Sequence, residues 1–199
     1  MIKLISSKVA CYLCSDEKDK RNYDLYDYAV NIVLSAILNI VTVIILGLCF
    51  NLIAESMLFY FSFIAIRKFA GGYHAKTPTR CYVFSVTVTL LVLVLIRMAI
   101  VYNSPLVKYG VLFLAFICLI VICILSPLDT ENNPLNNKEK NVYKKIAIII
   151  SILLFITATI LVILADITFG VPIGLGIIMA ALVLVMRKVQ MNFWGKIVK

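Results

Sequence analysis

A single histidine, His74, and a cysteine seven positions later, Cys81, form the one close histidine–cysteine pairing in this chain of 199 residues. An imidazole near a thiol can do nucleophilic chemistry: the ring takes the thiol proton and the thiolate attacks a carbonyl carbon. Cysteine ordinarily ionises near pH ~8.5, so few such groups are anionic at neutrality, and neighbouring cations raise that fraction. Arg67, Lys68, Lys76 and Arg80 flank the pair, and "RKFAGGYHAKTPTRC", residues Arg67 to Cys81, contains no acid. On a continuous helix, positions seven apart share a face but sit about 10 Å apart along the axis, well beyond a hydrogen bond of about 3 Å. The chain must therefore fold back between them. Gly71–Gly72 and Pro78 permit this, the glycines by admitting positive φ and the proline by interrupting a helix. These residues allow a dyad. Taken alone, such residues are more often a surface histidine in a basic loop and a cysteine filling the start of the next helix.

Other chemistry is sparse. Cys49, Cys118 and Cys123 fall in or beside apolar runs, so the cysteines do not read as a disulfide framework and free thiols are expected. Cys11 and Cys14 make one C-x-x-C, which reads more simply as two small apolar residues on one helix face. One histidine with that distant pair lacks the spacing of a zinc site, and no phosphate loop, G-x-S-x-G or H-E-x-x-H occurs. No metal and no cofactor are expected.

The elements that must position the pair are set by hydropathy. Hydrophobic residues make up 63% of the chain and its mean hydropathy is +1.04, more than a water-facing surface can accommodate. An all-α, polytopic membrane protein follows. "KIAIIISILLFITATILVILA" is apolar without alternation, so its backbone must be satisfied within the segment, as a helix does and a barrel strand does not. Six transmembrane segments are predicted, at about 28–46, 50–66, 81–101, 107–126, 144–165 and 171–187. The second carries Glu55 and several polar side chains, and either crosses or dips in and returns. Residues 1–27 have apolar positions spaced for an interfacial amphipathic helix and no apolar core of the length a cleaved signal peptide needs.

The whole chain, 1–199, reads as one membrane domain with polar connections at 67–81 and 127–145. In the second of these, Pro127, Pro134 and five asparagines oppose regular helix over most of its length. With both termini cytoplasmic, the inner segments 1–27, 67–80, 127–145 and 187–199 hold 17 of the 19 lysines and arginines, leaving Arg97 and Lys108 for the outer side. The net charge of +9 then belongs to the cytoplasmic face, where it would attract anionic lipid head groups and acidic peptides. No nucleic-acid partner is expected. Glu55 and Asp166 thread to the opposite side, so no acidic partner for His74 is evident.

"RKFAGGYHAKTPTRCYVFS" closely resembles the signature of the AgrB family, membrane endopeptidases that process the peptide precursors of Gram-positive quorum-sensing signals. That signature is an arginine and a basic residue, then Gly-Gly, His-Ala and a cysteine seven residues after the histidine. Arg67, Lys68, Gly71, Gly72, His74, Ala75 and Cys81 supply every element, and "SPLDTENNPLNNKEK" looks like the family's proline-containing basic loop. The resemblance implies a cysteine endopeptidase of the cell membrane with His74 and Cys81 as catalytic residues. Its substrate would be an AgrD-like propeptide with an amphipathic leader, a signal core containing cysteine or serine, and an acidic tail. Arg67, Lys68, Lys138, Lys140, Lys144 and Lys145 would bind that tail, and backbone N–H groups about Gly71–Gly72 or the helix start at Cys81 are candidates for an oxyanion site. The product would be a thiolactone or lactone ring, and a homodimer is compatible with the resemblance. A non-catalytic peptide transporter or sensor partner, with 67–81 as a basic gate, is the alternative.

Overall fold

In lipid every backbone N–H and C=O must be paired within the protein, and long apolar runs meet that demand as helices. The computed structural model describes residues 23–71, 78–102, 104–128, 136–164 and 167–197, and these are helical apart from short connections. The helices are α1 (Tyr23–Cys49), α2 (Ile53–Ala70), α3 (Pro78–Tyr102), α4 (Pro105–Leu125), α5 (Asn137–Leu164) and α6 (Ile167–Ile197). The interfacial helix anticipated over residues 1–27 lies almost wholly outside the described residues, as does Asp166.

Five helices, α1 and α3 to α6, are long and apolar enough to cross a membrane. The sixth, α2, holds Glu55, Arg67 and Lys68 within 18 residues. It is nevertheless one continuous helix about 27 Å long, not a dip and return. Its polar content is tolerated because it is enclosed: Glu55, Ser56, Tyr60 and Ser62 are buried along with Phe59, Phe63, Ile66 and Ala70. Within the bundle Ser56 and Ser62 return their hydroxyls to the carbonyls of Ile53 and Leu58, at 2.8 and 2.6 Å. Helix α2 packs most extensively on α6, then on α1 and α5.

Apolar helices gain no hydrophobic energy by leaving lipid for one another, so close approach and dispersion must hold them. Gly176 of α6 provides that approach, since a Cβ there would lie 2.7 Å from Cβ of Ser62 and 3.1 Å from the carbonyl oxygen of Phe59. The buried run Val171–Ile178 makes α6 the centre of the bundle.

The turn from α1 into α2 is tight. Asn51 takes the left-handed conformation at φ 52°, and the N–H groups of Asn51 and Leu52 donate to the carbonyls of Leu48 and Gly47 at 3.1 and 2.8 Å. This is a Schellman closure with asparagine where glycine is more usual. It sends α2 back along α1.

At the other end of α2 three elements meet. The N–H of Leu128, just past α4, donates to the carbonyl of Ala70 at 3.1 Å, and Phe69 meets Tyr143 of α5 edge to face at 5.9 Å. The end of α2, the end of α4 and the start of α5 therefore share one end of the bundle. Helix α5 begins at Asn137, seven residues before the apolar run read from the sequence. Glu139 explains the extension: its carboxylate accepts the N–H of Asn136 at 2.9 Å, as the glutamate of a capping box does. The lysines expected in a loop are on its first turns instead.

Candidate functional site

Cys81 lies in the first turn of α3, which Pro78 opens. Proline suits that place because its φ is already helical and the N–H it lacks would have no partner in the helix. The first turn lies at the positive end of the helix dipole, a setting that favours negative charge. Cys81 is half-buried and its thiol is free, as are those of Cys49, Cys118 and Cys123. Cys11 and Cys14 lie outside the described residues.

The stripe that carries Cys81 continues through Phe84, Ser85 and Val88 at helical spacing. Those three residues, with Thr89, line a narrow cleft whose other wall is Phe59, Tyr60, Phe63 and Arg67 of α2. The cleft exists because α3 packs tightly only along its far half, where Thr89, Val92, Leu93, Ile96 and Ala99 are buried, whereas no residue from 79 to 88 is. A hydroxyl pair steadies the loose half, Tyr82 to Thr42 of α1 at 2.7 Å.

Arg67 stands at this cleft with its guanidinium 5.6 Å from the ring centre of Phe63. One residue on, the Lys68 ammonium is 5.4 Å from the ring centre of Phe69, and Phe69 touches Tyr143. Lys140 and Lys144 flank Tyr143 on α5, with Lys138 and Lys145 on the same two turns. The structure thus gathers two basic groups about 75 residues apart in sequence at one end of the bundle. An aromatic bridge, each ring–cation contact worth about 0.5–1 kcal/mol at an exposed site, joins them.

Gly71 ends α2 at φ 81°, ψ −167°, a region that only glycine enters without strain. A Cβ at this position would also lie 2.5 Å from the carbonyl oxygen of Leu128. The glycine is therefore required where the motif leaves the helix. Its N–H already donates to the carbonyl of Arg67 at 3.1 Å, which withdraws it from the expected oxyanion donors. Gly72, His74 and Lys76 lie outside the described residues. Glu55 is in the first turn of α2, at the opposite end from Arg67 and Lys68. Among the described residues no three His, Cys, Asp or Glu side chains cluster as metal ligands would.

Gly71→Ala is expected to cost about 1–3 kcal/mol from backbone strain alone, whereas Gly110→Ala, inside α4 where a Cβ meets nothing within 4 Å, should leave stability unchanged or slightly raised. Thermal unfolding of both variants in one detergent checks this. Equal midpoints would contradict the role given to Gly71.

Sequence comparison finds the pattern of the family described as Accessory gene regulator B across residues 5–186. An AgrB-like protein of Clostridium perfringens strain 13 is 30% identical over 159 residues, covering 77% of this chain and 72% of its own. Protein FsrB of Enterococcus faecalis is 29% identical over 178 residues, 86% of this chain and 71% of that one. The accessory gene regulator protein B of Staphylococcus carnosus is 30% identical over 117 residues, 58% and 59% of the two chains. No solved structure matches.

Proposed function

Since this chain belongs to the accessory gene regulator B family, we propose that it is a membrane-embedded cysteine endopeptidase of quorum sensing, which removes the acidic tail of an AgrD-like propeptide and closes a ring in what remains. The observation that carries this reading is the position of Cys81: in the first turn of α3, one helical turn before Phe84 and Ser85, which line the cleft against α2, at the bundle end where the basic side chains of α2 and α5 collect.

In the proposed reaction His74 takes the proton of the Cys81 thiol, and the sulfur attacks the carbonyl at the junction of signal core and tail. Backbone N–H groups at the start of α3 would be candidates to receive the oxyanion. The carbon–nitrogen bond breaks, the tail departs as an amine with the proton that His74 held, and the core stays on Cys81 as a thioester. A thiol of the core then attacks that carbonyl, its proton passing through His74 to Cys81 as the Cys81 bond breaks. The product is a thiolactone, or a lactone where the core supplies serine. Thioester exchange changes free energy little, so ring closure prevails if the second nucleophile is held close and water is kept away.

Arg67, Lys68 and the lysines at 138, 140, 144 and 145 would hold the acidic tail, and anionic lipid head groups would compete for the same charge. Purified protein in vesicles, supplied with a matching propeptide, should release the tail. Passage of the intact propeptide with no tail released would support the transporter reading instead.

The proposed reaction takes place on the cytoplasmic side. A membrane-impermeant maleimide should reach a cysteine replacing Asn136 from the cytoplasmic face only and one replacing Ser104 from the outside only, in a background with the native cysteines removed. Labelling of both from one side would overturn the threading, and the reversed pattern would place the site outside.

A further inference from the structure

Cys81 precedes Phe84 and Ser85 by one helical turn, so about 5 Å of axis separates its turn from the first residues of α3 that line the cleft against α2. Farthest from Cys81, Phe59, Tyr60 and Thr89 are buried and close the cleft. Phe84, Ser85 and Val88, its α3 wall, are half-buried. Across from them stands the ring of Phe63, with the Arg67 guanidinium 5.6 Å from its centre. Among the described residues that line the cleft Arg67 alone is charged, and it lies toward the end of α2, where Lys68 follows.

Charge divides a peptide laid across Cys81 into two parts. Acidic residues are held by the cations of α2 and α5, and a carboxylate carried past them would lose its water between phenylalanine rings. An apolar side chain in the same place leaves water at a gain. The residue whose carbonyl is attacked carries its side chain on the adjacent carbon, so this is the side chain that reaches one turn along α3.

The closed cleft has little room. Its free space is about 10 Å³, what one water needs, so a leucine-sized side chain enters only as the walls part. The near half of α3 is the wall free to move: none of residues 79–88 is buried, while Val92, Leu93, Ile96 and Ala99 anchor the far half.

We infer that the α2–α3 cleft is the subsite for the apolar side chain that precedes the scissile bond, which enters by parting the near half of α3 from α2. The inference rests on the proposed peptidase reading and adds a substrate requirement: an apolar residue on the acyl side of the cut, with acidic residues only beyond it. Cys81 lies on the part of α3 that moves, so a fitting side chain also sets the thiol, and selectivity falls on kcat as well as KM.

The test uses full-length protein and four propeptides that differ only in the residue supplying the scissile carbonyl: alanine, leucine, phenylalanine or aspartate. Wild-type kcat/KM should favour leucine over alanine by about 10-fold or more, the scale of methylene discrimination in an apolar pocket, with aspartate poorest. Val88→Ala widens the cleft and should raise the phenylalanine-to-leucine ratio by about 10-fold. Ser85→Leu fills it and should lower the leucine-to-alanine ratio by as much. An equal change for all four propeptides, or wild-type ratios in both variants, would overturn the inference. Should Ser85→Leu not fold, Val88→Ala carries this test, since it removes only two methyl groups from a half-buried position.

Binding is read separately from cleavage. A diazirine analogue of leucine at the same propeptide position, irradiated with Cys81→Ala protein in detergent, should mark Phe63, Phe84 or Val88. The analogue placed in the acidic tail should mark the first turns of α5 instead. Cleft adducts from the tail analogue, or a core analogue that leaves the cleft unmarked, as when a lipid or detergent chain fills it, would overturn the inference. Wild-type protein that cuts no propeptide while the core analogue marks the cleft would count against the peptidase reading alone. Wild-type protein that cuts all four equally would count against the cleft alone.

Discussion

Cys81→Ser is expected to abolish release of the propeptide tail, a fall of at least about 10³-fold, because loss of a catalytic nucleophile leaves only the residual effect of binding and oxyanion stabilisation. A serine hydroxyl is a far weaker nucleophile than a thiolate in the same place, and an imidazole suited to a thiol does not activate it equally. The companion variant is as informative. Cys49 is exposed at the opposite end of α1, Cys118 is buried in the core and Cys123 is half-buried in α4. Replacing these three, with Cys11 and Cys14, by serine or alanine should leave most of the activity, with a modest loss of stability from the Cys118 site. Tail release should be read by mass spectrometry on protein purified in detergent, with unfolding midpoints measured in parallel. Cleavage by Cys81→Ser at more than a few per cent of the wild-type rate would remove Cys81 from the mechanism.

The second large effect concerns the intermediate. Ring formation needs an activated acyl group, and hydrolysis would discard it, so the core must remain on Cys81 until its own nucleophile arrives. Wild-type protein mixed with propeptide should therefore yield a species heavier by the leader and core, removable by hydroxylamine, which cleaves thioesters. Changing the core cysteine to alanine should make this adduct accumulate, since the second attack is lost. His74→Ala should prevent its formation, a fall of about 10²-fold or more in its rate, because the thiol then keeps its proton and the leaving amine receives none. An adduct formed at the wild-type rate by His74→Ala would exclude the histidine as the base. Absence of any adduct, with product still made, would mean that water or the core attacks the peptide directly.

Much of this was legible in the residues. Hydropathy alone implies helices wherever the backbone cannot reach water, and the segments near 81–101 and 107–126 lie within a few residues of α3 and α4. The start of α5 lies ahead of the apolar run that hydropathy marks, although Asn136 and Glu139 stand at the spacing of a cap; the prolines and asparagines before them oppose helix only up to that cap. In the sequence Arg187 is one more cation of the terminal segment, and its burial depends on neighbours that hydropathy does not name.

The sequence by itself determined the class of protein, the crowding of cations into a few segments and the residue types of the motif, since each follows from local composition and spacing. Tertiary structure decided that α2 is one continuous helix enclosed by α1, α5 and α6, because a polar helix is stable in that setting only when neighbours cover it. It decided too that α2 must end on a glycine, where the carbonyl of Leu128 leaves no room for a Cβ. And it decided that the basic groups of α2 and α5 meet, because the path from Phe69 to Tyr143 is short through the packed bundle and long along the chain.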